Sequence, residues 1–170
     1  VANLQAAFEG RRATIMTKRG LFARCALGIV LATTAVSASD WNRYCNPRFG
    51  QCADIPANFR ADPPPENGDG LVFRDAYGAS ITVTAGYNVM DDPMGWQRNF
   101  WLETIGAPAY QAHGPDWFVL SGVKGATIYY VKVFVTASTA STLAIEYPAD
   151  RKSAYDGIVA RAAKSFTPGQ

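Results

Sequence analysis

Few residues in this chain could do chemistry. The single histidine, His113, lies in Gln111-Ala112-His113-Gly114-Pro115-Asp116, and Ser121 follows shortly after. A serine, a histidine and an acid are the groups of an acyl-transfer triad, in which the imidazole takes the hydroxyl proton and the carboxylate orients the ring. Here all three fall within nine residues, on an expected strand, turn and strand. Triad members are normally gathered from separate elements, and Ser121 lacks the strand-to-helix turn of a nucleophile elbow. The spacing favours a turn histidine bonded locally, so an exported hydrolase using Ser121 and His113 is the least favoured reading and no catalytic residue is assigned.

Oxygen ligands are the second possibility, from Asp62, Glu66, Asn67 and Asp69. Calcium takes six to eight oxygens, and the EF-hand spacing is not present. Asn67-Gly68 and Asp69-Gly70 explain these residues more simply as turn formers, and no metal or other cofactor is expected. Ser121-Gly122-Val123-Lys124-Gly125 has the glycines and the lysine of a phosphate loop. A strand follows it where phosphate binding would want a helix N-terminus, so a hairpin turn is the better account.

Aromatic residues offer the remaining opportunity. Trp41, Phe49 and Trp117 lie near expected turns. Exposed together, they could stack on a glycan ring or anchor a protein partner; burial is the default for each. Arg48 joins Phe49 at the tip Asn46-Pro47-Arg48-Phe49-Gly50. Trp41, Arg48, Phe49 and Trp117 are therefore the candidate binding residues.

The segment ahead of these residues reads as an export signal. Met16-Thr17-Lys18-Arg19 opens a basic region through Arg24, the apolar run Cys25 to Val36 follows, and Val36-Ser37-Ala38 fits a small-residue cleavage site. The run is too short to span a bilayer. Residues 16–38 are expected to be a signal peptide, residues 1–15 a non-native or disordered extension, and residues 39–170 one domain in the periplasm or outside the cell. The segment 1–38 carries five of the 16 basic residues and only one of the 14 acidic ones, so the net charge of +2 becomes −2 without it. That balance gives no support to nucleic-acid binding.

Removing the leader also leaves Cys45 and Cys52 as the remaining thiols of the three in the chain. An even, isolated pair in an oxidising compartment reads as one disulfide. A redox-active pair would want the Cys-x-x-Cys spacing, which is absent. Closing so small a loop is worth roughly 2–2.5 kcal/mol in the chain-entropy account.

The elements that must position these residues follow from period and punctuation. Trp41 to Tyr44 and Gln51 to Ile55 predict a bridged hairpin, and Pro63-Pro64-Pro65 interrupts regular structure. Leu71 to Arg74 and Ala79 to Tyr87 predict a second hairpin, with Ile81, Val83 and Ala85 alternating with polar or small neighbours. Asp91-Asp92-Pro93 is a helix start, closed by Gly106 and Pro108, which predicts a helix over 93–105. Its pairs Trp96/Phe100 and Trp101/Ile105 predict two apolar rows on a sheet. Strands are expected at Ala109 to Ala112, Trp117 to Ser121, Ala126 to Thr136 and Thr142 to Tyr147, with Ala126 to Thr136 an interior strand because both its faces are apolar. Asp150 is a cap for a final helix whose stripe is Tyr155, Ile158, Val159, Ala162 and Phe166.

Taken together, Tyr44, Asn46, Arg48-Phe49-Gly50, Asp54, Pro56, Pro64-Pro65-Glu66-Asn67-Gly68-Asp69-Gly70, Ser121-Gly122, Tyr130, Lys132, Tyr147-Pro148 and Ser165-Phe166 resemble a group of small exported bacterial proteins of unknown function. That group resembles, more distantly, the PsbP-like fold. The resemblance implies an α+β domain: a twisted antiparallel sheet of about six or seven strands flanked by two helices. It also implies a non-enzymatic role in binding or assembly. An envelope protein or assembly is the expected partner, and a monomer the expected state. A glycan-binding or small-ligand module using exposed aromatics is the alternative.

Overall fold

The computed structural model describes residues 40–169; the expected leader, its cleavage site and Ser39 lie outside the described residues. The chain opens with the hairpin of β1 (Trp41–Cys45) and β2 (Cys52–Pro56). Cys45 and Cys52 face each other in register at its tip end, 4.1 Å apart at Cα, and are joined as a disulfide. Then come β3 (Arg60–Ala61), β4 (Gly70–Arg74), β5 (Ser80–Tyr87) and the helix α1 (Pro93–Ile105). The second half is β6 (Tyr110–His113), β7 (Trp117–Lys124), β8 (Thr127–Val135), β9 (Thr139–Pro148), a single 3-10 turn at Ala149–Arg151 and α2 (Lys152–Ser165).

Seven strands form one antiparallel sheet in the order β3-β4-β5-β9-β8-β7-β6, and β1-β2 stay apart as a two-stranded ribbon. The two halves of the sheet are meanders that meet where β5 pairs with β9. Its centre is therefore β9, and the 126–136 run, now β8, is an interior strand beside it, as expected. The first seven residues of β9 are all buried, Thr139, Ser141 and Thr142 among them. Their short hydroxyl side chains look like loop chemistry, which is why a strand is expected only from Thr142. In place, they fit beneath elements that approach both faces; the Ser141 hydroxyl accepts the Gly169 amide at 3.3 Å.

On one face, α2 and the β1-β2 ribbon cover Phe73, Ile81, Val83, Leu143 and Ile145. The stripe Tyr155, Ile158, Val159 and Ala162, continued by Phe166, supplies the helix side of this core. On the other face α1 covers Phe118, Leu120, Val131 and Val133 with Trp101, Leu102 and Ile105. Alternate residues of β8 thus feed two cores, the expected consequence of period-two patterning with both faces apolar.

Asp92 caps α1 by accepting the Gly95 amide at 3.0 Å, and Gly106 ends it at φ 81°. Only one of the two expected rows faces the sheet. Successive helical residues lie about 100° apart, so seating Trp101 and Ile105 turns Trp96 and Phe100 to the flank. There they are 44% and 45% exposed and stack on each other at 5.6 Å. Asp150 does not cap α2: it falls in the 3-10 turn after Pro148, and the helix starts from Arg151 with no side-chain cap bond. No helix of the described residues is long and apolar enough to cross a membrane.

Candidate functional site: an aromatic groove beside the β6 edge

The helix α2 does not reach the β6 edge of the sheet, and the uncovered part of that face is concave. Alternation puts Tyr110 and Ala112 of β6 on this face. Register places Val119 and Trp117 of β7 beside them, then Lys132 and Phe134 of β8. With Tyr130 they line a groove of about 340 Å³. Inward of the groove, Phe166 at the C-terminal end of α2 packs on Phe134 at 5.6 Å. Tyr110 is 59% exposed at the rim, and the small side chain of Ala112 leaves the groove open toward the edge.

Lys132 is the one cation among these aromatic rings. Its ammonium lies 4.9 Å from the Phe134 ring and donates to the Ala163 carbonyl at 3.0 Å, one of the last carbonyls of α2. An ammonium carries three donors, so two of its donors remain for a ligand. Among the described residues no carboxylate forms an ion pair with it. Burial lowers the Lys132 pKa below the usual lysine range, because desolvation penalises the charged form. Burial first, and the neighbouring Tyr110 second, push the Tyr130 hydroxyl up to about 12. Tyr130 therefore stays a neutral donor at physiological pH.

The candidates read from sequence separate into distinct places. Trp117 lines the groove. Trp41 is half-buried at the start of β1, with the Arg161 guanidinium 4.4 Å over its ring, and it lines a different depression with Ala57, Ala154 and Ile158. Phe49 is only 6% exposed and packs edge-on against Tyr87 at 5.0 Å. Arg48 lies over both rings, at 4.8 and 5.7 Å, and donates to the Asn67 carbonyl. Trp41, Phe49 and Trp117 thus do not share one exposed patch.

The reason is the buried Asn46. Its side-chain oxygen accepts the Arg48 and Phe49 amides at 2.9 Å each, while its amide nitrogen donates to the Tyr44 hydroxyl and to the Gly68 carbonyl. Gln51 adds a bond to the Asp69 carbonyl at 3.0 Å. The tip is folded down onto the 67–69 turn, and Phe49 is held inside. A Cβ on Gly169 would lie 1.7 Å from the Phe49 carbonyl oxygen, so the C-terminal strand segment closes over it as well.

The hydrolase reading is overturned by register. His113 pairs with Phe118 and so points to the α1 side, whereas Ser121 lies on the groove side between Tyr110 and Tyr130. The Ser121 hydroxyl donates to the Tyr129 carbonyl at 2.9 Å. Asp62 is paired with Arg74 at 2.8 Å, and Asn67 with Asp69 at 2.8 Å. Among the described residues no three His, Cys, Asp or Glu side chains gather as metal ligands.

Tyr130, Lys132 and Phe134 are groove residues that sequence reasoning assigned only to a core strand. One signal was available: Lys132 interrupts the apolar run Ile128 to Val135 at a position whose strand neighbours are aromatic. A lysine between Tyr130 and Phe134 on one face marks the place where that face leaves the core.

No sequence family matches the chain, and no curated protein matches it. Among solved structures, cyanobacterial PsbP (CyanoP) from Synechocystis sp. PCC 6803 aligns with a TM-score of 0.55 at 14% identity, over 83% of this chain and 99% of that one. LpqN, involved in cell envelope biogenesis of Mycobacterium tuberculosis, aligns with a TM-score of 0.47 at 12% identity, over 77% of this chain and 91% of that one. The seven-stranded antiparallel sheet flanked by two helices is therefore a PsbP-like α+β fold, the architecture that the residues of the chain resemble.

Proposed function

We propose that this chain is an exported, non-catalytic binding domain of the periplasm or cell envelope, and that it takes its partner in the groove between α2 and β6. The observation that carries the reading is the groove itself. Half-exposed aromatic faces, two tyrosine hydroxyls and an ammonium with free donors converge on one concave surface, the usual make-up of a recognition site. Export is supported by the basic and apolar segment of residues 16–38 and by the Cys45–Cys52 bridge, which suits an oxidising compartment. The separation of His113 from Ser121 supports a role without catalysis.

The test is retention of the purified protein on immobilised envelope fractions, comparing the wild type with Tyr110→Ala and Trp117→Phe. Saturable retention that weakens in both variants supports the reading. Turnover of a small substrate, or retention untouched by either change, would sink it.

A further inference from the structure

We propose that the groove binds an acidic glycan, with a sugar ring laid on its aromatic faces and the carboxylate of a uronic acid held by Lys132 and Tyr130. This rests on the groove being the binding site and names what it takes. Three features of the chemistry lead there.

The cation comes first. Lys132 is partly buried among aromatic rings, has one neutral acceptor in Ala163, and lacks an acidic partner among the described residues. Desolvated charges are normally paired, because the lost hydration has to be replaced by an opposite charge or hydrogen bonds. An incoming carboxylate supplies both, and a charge-assisted bond of this kind is about twice as strong as a neutral one. The Tyr130 hydroxyl, protonated at neutral pH like any tyrosine, adds a second donor from the same face of β8.

The rings come second. Trp117, Tyr110 and Phe134 offer π faces, which carry partial negative charge. The C–H face of a sugar ring is apolar and weakly positive, so it stacks on such a face, while its hydroxyls reach the rim donors and acceptors of Tyr110 and Tyr130. An aromatic acid would satisfy Lys132 and Tyr130 through its carboxylate but leave the Tyr110 hydroxyl without a match.

The opening comes third. Pockets for isolated small molecules bury most of the ligand, whereas this groove has Tyr110 at 59% exposure on its rim and runs out over the β6 edge. A chain of sugar units can lie in it and continue past the β6 edge. A second copy of this protein fits poorly, because β6 would bring Tyr110, Gln111, Ala112 and His113 and no carboxylate to Lys132.

Calorimetric titration of the purified protein with a short oligogalacturonate tests this, with its methyl ester as the uncharged control and phenylacetate as the aromatic acid. The expected result is binding of the acid oligomer that weakens about tenfold or more on esterification, the scale of one lost charge-assisted bond. Lys132→Gln keeps a donor but removes the charge, and it should weaken the acid oligomer by a similar factor while leaving the ester unchanged. Tyr110→Ala, at an exposed position that folding does not depend on, should weaken both sugars. Equal affinity for acid and ester, binding of phenylacetate alone, or no binding of any sugar would overturn the acidic-glycan assignment. If none binds while envelope retention still depends on Tyr110 and Trp117, the ligand class fails and the groove stands. If retention is also indifferent to the groove, both fail together.

Discussion

Replacing Tyr155 with phenylalanine removes one oxygen from the place where α2 is fastened to the sheet. Tyr155 is 3% exposed, its ring stacks on Tyr147 at 5.0 Å, and its hydroxyl donates to a carboxylate oxygen of Asp75 in the β4–β5 turn. The other oxygen of Asp75 accepts the Tyr77 and Ala79 amides at 2.8 and 2.9 Å, so the turn keeps its own bonds in the variant. What is lost is a hydrogen bond to a charged acceptor, worth about 1.5–3 kcal/mol. With a urea dependence of about 2 kcal/mol per M, the unfolding midpoint should fall by roughly 1 M with an unchanged slope. The pH dependence carries a second signature. Burial first and the Asp75 contact second raise the Tyr155 pKa, so its folded value lies above the unfolded value of about 10. The stabilisation is then complete below about pH 10 and is lost as pH rises through the folded value, a decline that Tyr155→Phe should flatten. Urea melts at neutral and alkaline pH measure both. An unchanged midpoint at neutral pH would refute the claim that this bond couples the helix to the turn.

Other consequences follow from equally local geometry. A Cβ on Gly70 would sit 2.2 Å from the Val83 carbonyl oxygen, backbone that cannot move aside within the β4-β5 pair, so Gly70→Ala should cost more than about 3 kcal/mol in a urea melt or abolish soluble expression. Asp92→Ala removes the side-chain cap of α1 and should cost about 1 kcal/mol in the same assay, with Asp92→Asn close to wild type. Reducing Cys45–Cys52 should lower stability by roughly 2–2.5 kcal/mol without unfolding the domain, read as a shifted thermal melt with unchanged far-ultraviolet circular dichroism.

How far the sequence could be read depended on whether the deciding force was local. The helix α1 is bounded by a cap, a proline and a glycine, and its span of Pro93–Ile105 matches the expected one. The disulfide and the β4–β5 and β7–β8 hairpins, each with a positive-φ glycine in the turn, were legible for the same reason. Features decided by tertiary packing were not. The residues Thr139, Ala140 and Ser141 gain strand structure from what covers them. Phe49 is buried because Asn46 collects the tip amides, a side-chain arrangement that composition does not announce. Trp96 faces out because only one row of a helix can lie on the sheet. The groove combines three strands distant from α2 in sequence, so of its residues Trp117 alone was assigned to a site.

The groove, and not the disulfide-bonded hairpin tip, is the proposed binding surface. The most direct measurement compares Tyr110→Ala with Arg48→Ala, both at exposed positions, for retention on the same immobilised envelope fraction. Loss of retention in Tyr110→Ala with Arg48→Ala near wild type is the predicted result. Retention lost in Arg48→Ala and kept in Tyr110→Ala would contradict it.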